Sequence, residues 1–234
     1  MFDRRSRAEV ERGLKPVGSA LQRSGVKADQ LTFLGLALSA ATAVAVGAGH
    51  LLLGLFLLIG AGATDLLDGA VAKGSGTASA RGAFYDSVTD RVSDALILGG
   101  VAWYLAGWRG GRWPVLALAV LAVSMLVSYE RAKAESLGFH ASGGLMERAE
   151  RMIALGVGFA FRVVLVPVLW VMLALTTVTA LYRFVSVWQQ ASAPRVPRPE
   201  RRWSRRRTPR SLHAERSRAE RPWRTWRERA RTRP

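Results

Sequence analysis

Long apolar runs alternate with short polar segments along the first 190 residues of this 234-residue chain. A helix on the surface of a water-soluble protein needs only one apolar face, whereas these runs consist almost entirely of Leu, Ala, Val, Gly and Ile. About 20 such residues are enough to cross a bilayer as a helix. The pattern therefore predicts an all-α integral membrane protein with six transmembrane helices. The predicted spans are about residues 31–48, 50–72, 83–108, 113–135, 147–165 and 168–188.

The segments that separate the predicted spans contain glycine, proline or charge. Examples are GSGTASAR at residues 74–81 and GWRGGRWP at residues 107–114. Pro167 marks the predicted break before the last span. Residues 31–190 are thus expected to form one six-helix transmembrane domain.

Basic segments flank this domain. In residues 1–30 apolar side chains recur at three- and four-residue intervals among Arg and Lys, which predicts an amphipathic helix along the membrane surface. A loosely structured basic leader is the alternative. Residues 191–234 contain 16 arginines, four glutamates and few aliphatic residues, so we expect a disordered tail. The tail could contact anionic lipid or RNA, or stay solvated without a specific partner.

The basic residues also predict the orientation in the membrane. Most of the net charge of +17 falls on one side, in the leader, around residues 73–81 and 131–151, and in the tail. The other side receives Arg109, Arg112 and Arg162. Cytoplasmic loops carry the excess of Lys and Arg, which predicts a multi-pass protein of the cell membrane with both termini in the cytoplasm. The chain has no cysteine, which excludes disulfides and thiolate metal sites.

Four aspartates interrupt the apolar chain in the segment DLLDGAVAKGSGTASARGAFYDSVTD, residues 65–90. Asp65 and Asp68 are three apart and Asp86 and Asp90 four apart, so each pair lies on one helix face. An antiparallel hairpin of the second and third spans would bring all four carboxylates together, just below the cytoplasmic surface. Such carboxylates repel one another and need protonation or cations. Oxygen ligands suit Mg²⁺, Mn²⁺ or Ca²⁺, and two ions bridged by shared carboxylates would balance the charge.

Small residues lie beside these acids. Gly69, Ala72 and Gly82 leave room for a phosphate or for the backbone of a ligand to approach. Close packing of helices through small residues is the alternative interpretation.

The spacing Asp65-x2-Asp68-Gly69-x2-Ala72-Lys73-x8-Gly82-x3-Asp86-x3-Asp90 closely resembles the signature of the CDP-alcohol phosphotransferases, also called CDP-alcohol phosphatidyltransferases. These are integral membrane enzymes of phospholipid synthesis. The resemblance implies six transmembrane helices preceded by a juxtamembrane helix, in a homodimer whose active site faces the cytoplasm. It also implies a metal site for Mg²⁺ or Mn²⁺, with two ions. The implied metal ligands are Asp65, Asp68, Asp86 and Asp90, of which Asp90 is also the implied general base.

The same resemblance implies a site for the CDP-lipid. Gly69, Ala72 and Gly82 would line it together with Lys73, which stands where the family usually has arginine. Lysine keeps the charge but lacks the planar fork that grips two phosphate oxygens. The stretch KADQLT, residues 27–32, resembles a family segment TPN-x-x-T, which makes Asp29 and Thr32 further nucleotide-site candidates.

The loop SYERAKAESLGFHASGGLMERAER, residues 128–151, is similar to that of actinobacterial phosphatidylinositol phosphate synthases. Those enzymes join inositol phosphate to CDP-diacylglycerol (CDP-DAG) and release CMP. By this resemblance Arg131, Arg148 and Arg183 hold the phosphate of the acceptor, and the chain is bacterial. Membrane orientation alone would explain Lys133 and Arg151.

Three alternatives remain at this point. The acceptor could be glycerol 3-phosphate, which also carries a phosphate, making the enzyme a phosphatidylglycerophosphate synthase. The aspartates could serve a non-catalytic cation channel or transporter, although they cluster near one face of the membrane. Lys73 could also mark a family member with weakened activity.

Overall fold

The computed structural model describes residues 28–74, 79–109, 111–141 and 143–192, together with Ala20 and Gly25. The predicted amphipathic segment at 1–30 and the predicted tail at 191–234 lie almost entirely outside the described residues. The described residues form six α-helices and one short 3-10 turn, and no strand, which confirms the all-helical class. The helices are α1 (Ala28–Gly47), α2 (Leu51–Gly74), α3 (Ala80–Trp108), α4 (Trp113–Ser136), α5 (Arg148–Ala160) and α6 (Leu165–Ser192), and the turn is Arg162–Val164.

The helices pack in a closed ring. Each helix contacts the next in the order α1, α2, α5, α6, α4 and α3, and α3 in turn contacts α1. Every helix contributes apolar side chains to the buried core, among them Val46 of α1, Leu105 of α3 and Phe159 of α5. In this arrangement, polar residues of α2, α3, α5 and α6 lie in the interior of the ring.

The distribution of polarity is the reverse of that in a water-soluble protein. Asp94, Arg151 and Arg183 are buried, whereas Phe56 and Trp103 are 70% and 59% exposed. Apolar side chains on the outside and charged side chains inside suit a protein surrounded by lipid. The structure therefore supports the membrane class that the sequence predicts.

A glycine allows α1 and α3 to approach closely. A methyl group placed on Gly100 would lie 2.5 Å from the carbonyl oxygen of Ala43. That distance is well inside van der Waals contact, so only glycine leaves the two backbones free to touch. The contact holds α1, which carries Thr32, against the helix that carries Asp86 and Asp90.

The fifth predicted span, 147–165, differs from the observed helix. Helix α5 ends at Ala160, Phe161 is extended with φ −127° and ψ 91°, and the 3-10 turn follows. Pro167 does not mark the break as predicted, because it lies in the first turn of α6. Amide groups in the first turn have no partner within the helix, so a residue without an N–H is tolerated there.

Four described helical segments are long and apolar enough to cross a membrane. They are Ala28–Gly47, Leu51–Val71, Trp113–Ser136 and Arg162–Ser192. Helix α5 has only 13 residues, fewer than the roughly 20 of a complete span. Helix α3 is long but carries Asp86, Asp90 and Asp94. The described helices thus indicate a membrane protein, and the count of six spans stays a prediction.

Candidate active site

Helices α2 and α3 bring three of the four aspartates to one point. Ser79 begins α3, because its hydroxyl accepts a hydrogen bond from the Gly82 amide at 3.1 Å. Asp86 follows in the second turn of α3, and Asp65 and Asp68 lie near the end of α2. One carboxylate oxygen from each of these three aspartates lies within 4.8 Å of the others.

This cluster fits a divalent cation. Three carboxylates at this separation repel one another unless a positive charge lies between them. All the ligand atoms are oxygens, which are the donors that Mg²⁺ and Mn²⁺ prefer. Asp65, Asp68 and Asp86 therefore have the chemistry and the spacing of a hard-cation site, as the sequence predicts.

Thr32 positions one of these ligands. Its hydroxyl donates a hydrogen bond to Asp68 Oδ2 at 2.7 Å, and both residues are buried. The contact joins α1 to α2. Thr32 was predicted to lie at the nucleotide site, and the structure places it directly behind an aspartate of the cluster.

Arg148 joins Asp90 to the cluster. Its Nη1 lies 2.7 Å from Asp65 Oδ1 and 2.7 Å from Asp90 Oδ1. The Arg148 side chain is 23% exposed and the Asp90 side chain 28%, so the contacts are partly shielded from water. The sequence resemblance implies that Arg148 binds the acceptor phosphate, and in the structure Arg148 contacts two of the aspartates.

A second buried ion pair lies behind Arg148 and was missed from the sequence. Arg151 Nη2 donates to Asp94 Oδ2 at 2.6 Å, and Arg148 Nε lies 3.6 Å from Asp94 Oδ1. Asp94 continues the four-residue spacing of Asp86 and Asp90, a signal that could have revealed it. Attributing Arg151 to membrane orientation was wrong, because this residue is 5% exposed and faces the interior.

The predicted nucleotide residues Gly69 and Gly82 differ in the space around them. A methyl group placed on Gly69 would meet no atom within 4 Å, and one on Gly82 would meet only Ser79 Oγ at 3.4 Å. Space therefore exists beside Gly69. Ala72 and Lys73 belong to the last turn of α2.

Asp29, another nucleotide candidate, lies in the first turn of α1. Its carboxylate is 4.0 Å from the guanidinium of Arg81. Both side chains are largely exposed, at 60% and 90%. This surface ion pair connects the start of α1 to the start of α3, and both charges stay exposed to solvent.

The two other predicted acceptor ligands have different surroundings. Arg183 is buried, and its guanidinium donates to the Gly143 carbonyl at 2.9 Å and to the Val127 carbonyl at 3.2 Å. These bonds connect α6 to α4 and to the segment before α5. Arg131 is exposed and pairs with Glu135 at 3.0 Å. The structure thus brings Arg148 to the aspartates, holds Arg183 in backbone contacts and leaves Arg131 on the surface.

Comparison with known proteins shows the family of the chain. Residues 26–189 match the CDP-alcohol phosphatidyltransferase family. The chain is 34% identical over 190 residues to the phosphatidylinositol phosphate synthase of Mycobacteroides abscessus, which covers 78% of this chain and 86% of that protein.

The fold is similar to that of solved structures. The phosphatidylinositol phosphate synthase of Mycobacterium tuberculosis with CDP-DAG bound superposes with a TM-score of 0.70 at 30% identity, covering 76% of this chain and 94% of that one. The same enzyme with manganese and citrate gives a TM-score of 0.68 at 29% identity, covering 75% and 88%.

A helical bundle with a lipid-facing exterior and an interior cluster of carboxylates defines a membrane enzyme with a site for divalent metal. The chain belongs to the CDP-alcohol phosphatidyltransferase family and is a transferase. The prediction of a divalent metal cofactor is confirmed by the aspartate cluster together with the manganese complex of the structural relative.

Proposed function

We propose that this chain transfers the phosphatidyl group from CDP-DAG to inositol phosphate, forming phosphatidylinositol phosphate and releasing CMP. The observation that carries the proposal is the cluster of Asp65, Asp68 and Asp86, with Asp90 joined to it through Arg148. Supporting it are relatives named phosphatidylinositol phosphate synthase, one of which was solved with CDP-DAG.

The four aspartates have two roles in the proposed metal site. Asp65, Asp68 and Asp86 would hold a divalent cation, and Asp90 would contribute to the site of a second ion. When bound, such ions neutralise negative charge on the pyrophosphate of the CDP-lipid. Thr32 keeps Asp68 turned toward the cluster through its 2.7 Å hydrogen bond.

Asp90 acts as the general base in this mechanism. It takes the proton from the acceptor hydroxyl, whose oxygen forms a new bond to the phosphorus that carries the diacylglycerol. The bond between that phosphorus and the oxygen of CMP breaks, and CMP leaves with the electron pair. Arg148, 2.7 Å from Asp90, holds the carboxylate in place before the acceptor arrives.

Replacing Asp90 tests this step. In Asp90→Asn we expect CMP release to fall by roughly 10²- to 10⁴-fold, the range that loss of a general base produces. Manganese binding, followed by calorimetry, should persist because Asp65, Asp68 and Asp86 remain. Arg112→Gln, a change at an exposed residue between α3 and α4, is the control. Normal turnover in Asp90→Asn would exclude Asp90 as the base.

The nucleotide end of CDP-DAG would occupy the space beside Gly69. We assign Gly69, Ala72, Lys73 and Gly82 to this site, with Asp29 and Thr32 at its edge. The open space at Gly69 supports the assignment. Lys73, near the end of α2, supplies a positive charge for the pyrophosphate.

The acceptor is bound by arginines in the proposed mechanism. Arg131, Arg148 and Arg183 remain our candidates for its phosphate. Arg148 is the nearest of the three to the aspartates. To bind the acceptor, its guanidinium would have to release the carboxylate of Asp65 and contact the acceptor phosphate.

Glycerol 3-phosphate is the competing acceptor. The test is CMP release by the purified chain from CDP-DAG and manganese, with each acceptor supplied separately. Release with inositol phosphate and none with glycerol 3-phosphate would support the proposal. The opposite result would make the chain a phosphatidylglycerophosphate synthase, and ion flux without any CMP release would favour a transport protein.

We further propose a six-span topology in a bacterial cell membrane, with the active site and both termini in the cytoplasm. The cysteine-free sequence allows a direct test with single introduced cysteines. Gly111→Cys, between α3 and α4, should react with an impermeant maleimide added to intact cells, and Ser136→Cys, at the end of α4, should react only after lysis. The reverse pattern would invert the topology.

Two assembly proposals accompany this topology. We expect a homodimer, as the family resemblance implies, which light scattering of the purified protein would detect as twice the protein mass. We expect the tail at 191–234, which lies outside the described residues from residue 193 onward, to contact anionic lipid through its arginines.

A further inference from the structure

Two arginines lie on one tryptophan ring at the end of the bundle that is remote from the aspartates. The guanidinium carbon of Arg109 is 4.8 Å from the centre of the Trp108 ring, and that of Arg162 is 4.5 Å from it. Arg109 also lies 4.9 Å from the Trp113 ring and Arg162 5.8 Å from the Tyr104 ring. Trp108 ends α3, roughly 27 Å from Asp90 at the helical rise. We call Arg109, Arg162 and these three rings the remote site.

Within the part of the chain that the structure describes, carboxylates do not balance the positive charge of the remote site. Among residues 28–74, 79–109, 111–141 and 143–192, no carboxylate pairs with Arg109 or Arg162. The sequence has no Asp or Glu between residues 95 and 129 or between residues 151 and 199. Two like charges that lie against one ring repel each other, and a bound anion would reduce that repulsion.

Apolar residues next to Arg162 favour a lipid over a soluble anion. Phe161 and Val163 are 65% and 84% exposed, although both are apolar. Trp and Tyr are frequent at the level of the headgroups, where their rings contact both lipid and water. A phospholipid would match both features, with its phosphate at the guanidinium groups and its chains along Phe161 and Val163. Arginine suits the phosphate, because its planar fork donates to two oxygens at once.

We propose that Arg109 and Arg162, held by Trp108, bind the phosphate of an anionic phospholipid in the leaflet opposite the active site. The remote site is separate from the aspartate cluster and does not depend on the proposed reaction. Its ligand is a resident lipid and neither of the substrates, since its residues lie at the other end of α3.

The test uses the full chain purified in a neutral detergent. Phosphatidylglycerol and phosphatidylcholine are added in equal amounts, and the lipids retained are counted by native mass spectrometry. In the Arg109→Gln/Arg162→Gln variant we expect retained phosphatidylglycerol to fall on the order of tenfold, with phosphatidylcholine unchanged. The matched control is Arg112→Gln, because Arg112 is an exposed arginine of the same connection. This control should behave as the unaltered chain does, and the leader and tail are identical in all three proteins.

Other outcomes would overturn the proposal. Equal retention by all three proteins would show that the arginines bind no lipid, and an equal loss in Arg112→Gln would show only a general effect of charge. Displacement of phosphatidylglycerol by inorganic phosphate would identify a site for soluble anions. CMP release in phosphatidylcholine micelles checks folding independently. If the double variant loses this activity, Arg109→Gln alone is used, and retention equal to the unaltered chain would then contradict the proposal.

Discussion

Arg148 balances charge at the centre of the active site. It contacts Asp65 and Asp90 through the same nitrogen, at 2.7 Å each. A divalent cation held by Asp65 would compete with Arg148 for the same carboxylate. If Arg148 also binds the acceptor phosphate, as we propose, its guanidinium would exchange the aspartates for that phosphate.

Removing Arg148 should make stability depend more strongly on metal. In Arg148→Gln the aspartates lose their positive partner, and without metal we expect a loss of roughly 1–3 kcal/mol in unfolding free energy. Saturating manganese should restore part of that loss. Thermal unfolding with EDTA and with manganese measures both. The control, Arg131→Gln, breaks only an exposed pair with Glu135 and should respond equally under both conditions. A loss in Arg148→Gln that is the same with and without manganese would contradict this role.

Gly69 allows the substrate space to be tested without disturbing the fold. An added methyl group meets no protein atom within 4 Å, so Gly69→Ala should keep or slightly raise the melting temperature. If the CDP-lipid fills that space, the KM for CDP-DAG should rise about tenfold, as expected from overpacking.

Gly100→Ala is the contrasting variant, because its methyl group would lie 2.5 Å from the Ala43 carbonyl oxygen. It should lower the melting temperature. An unchanged KM in a stable Gly69→Ala protein would place the substrate elsewhere.

Helices α3 and α5 are joined by the buried pair of Asp94 and Arg151. The side chains are 10% and 6% exposed, and their nearest atoms are 2.6 Å apart. Because Arg148 lies one turn from Arg151 on α5, the pair also fixes how α5 presents Arg148 to Asp90. Asp94 and Arg151 therefore act as positioning residues, because they fix α5 relative to α3.

A double-mutant cycle tests this connection. Asp94→Asn or Arg151→Gln alone leaves a buried charge without its partner, and we expect each to cost roughly 3 kcal/mol in unfolding free energy. The double variant should be less destabilised than the sum of the two, since no unpaired charge remains. Manganese affinity should change little, because a positioning pair does not bind the ion. Strict additivity would show that the two residues act independently.

Sequence alone predicted the helices well where each corresponds to one apolar run. The spans 31–48 and 113–135 match Ala28–Gly47 and Trp113–Ser136 closely. It failed at Phe161, because this residue is as apolar as the helix before it, and a single extended residue has no signature of its own in the sequence. The spacing of the aspartates predicted their meeting point, since helix geometry fixes which residues share a face. The partners of Arg148, Arg151 and Arg183 depend on how helices that are distant in sequence pack together. The spacing of residues along the chain does not predict that packing.

At the scale of the whole molecule, the residues proposed for the active site all belong to the part of the chain that matches the family. The family match covers residues 26–189, and α6 ends at Ser192. All the aspartates and the candidate arginines Arg131, Arg148 and Arg183 precede that point. The basic tail is therefore expected to serve lipid contact rather than chemistry.

Removal of the tail should consequently leave the reaction intact. A chain that ends after Ser192 keeps every proposed active-site residue, so CMP release in neutral detergent should equal that of the full chain. A chain that ends after Leu181 loses Arg183, whose hydrogen bonds to Gly143 and Val127 tie α6 to the rest of the ring, and it should unfold or lose activity. Comparing CMP release and melting temperature of the three proteins separates the two effects. Loss of activity in a stably folded chain ending after Ser192 would place part of the active site in the tail.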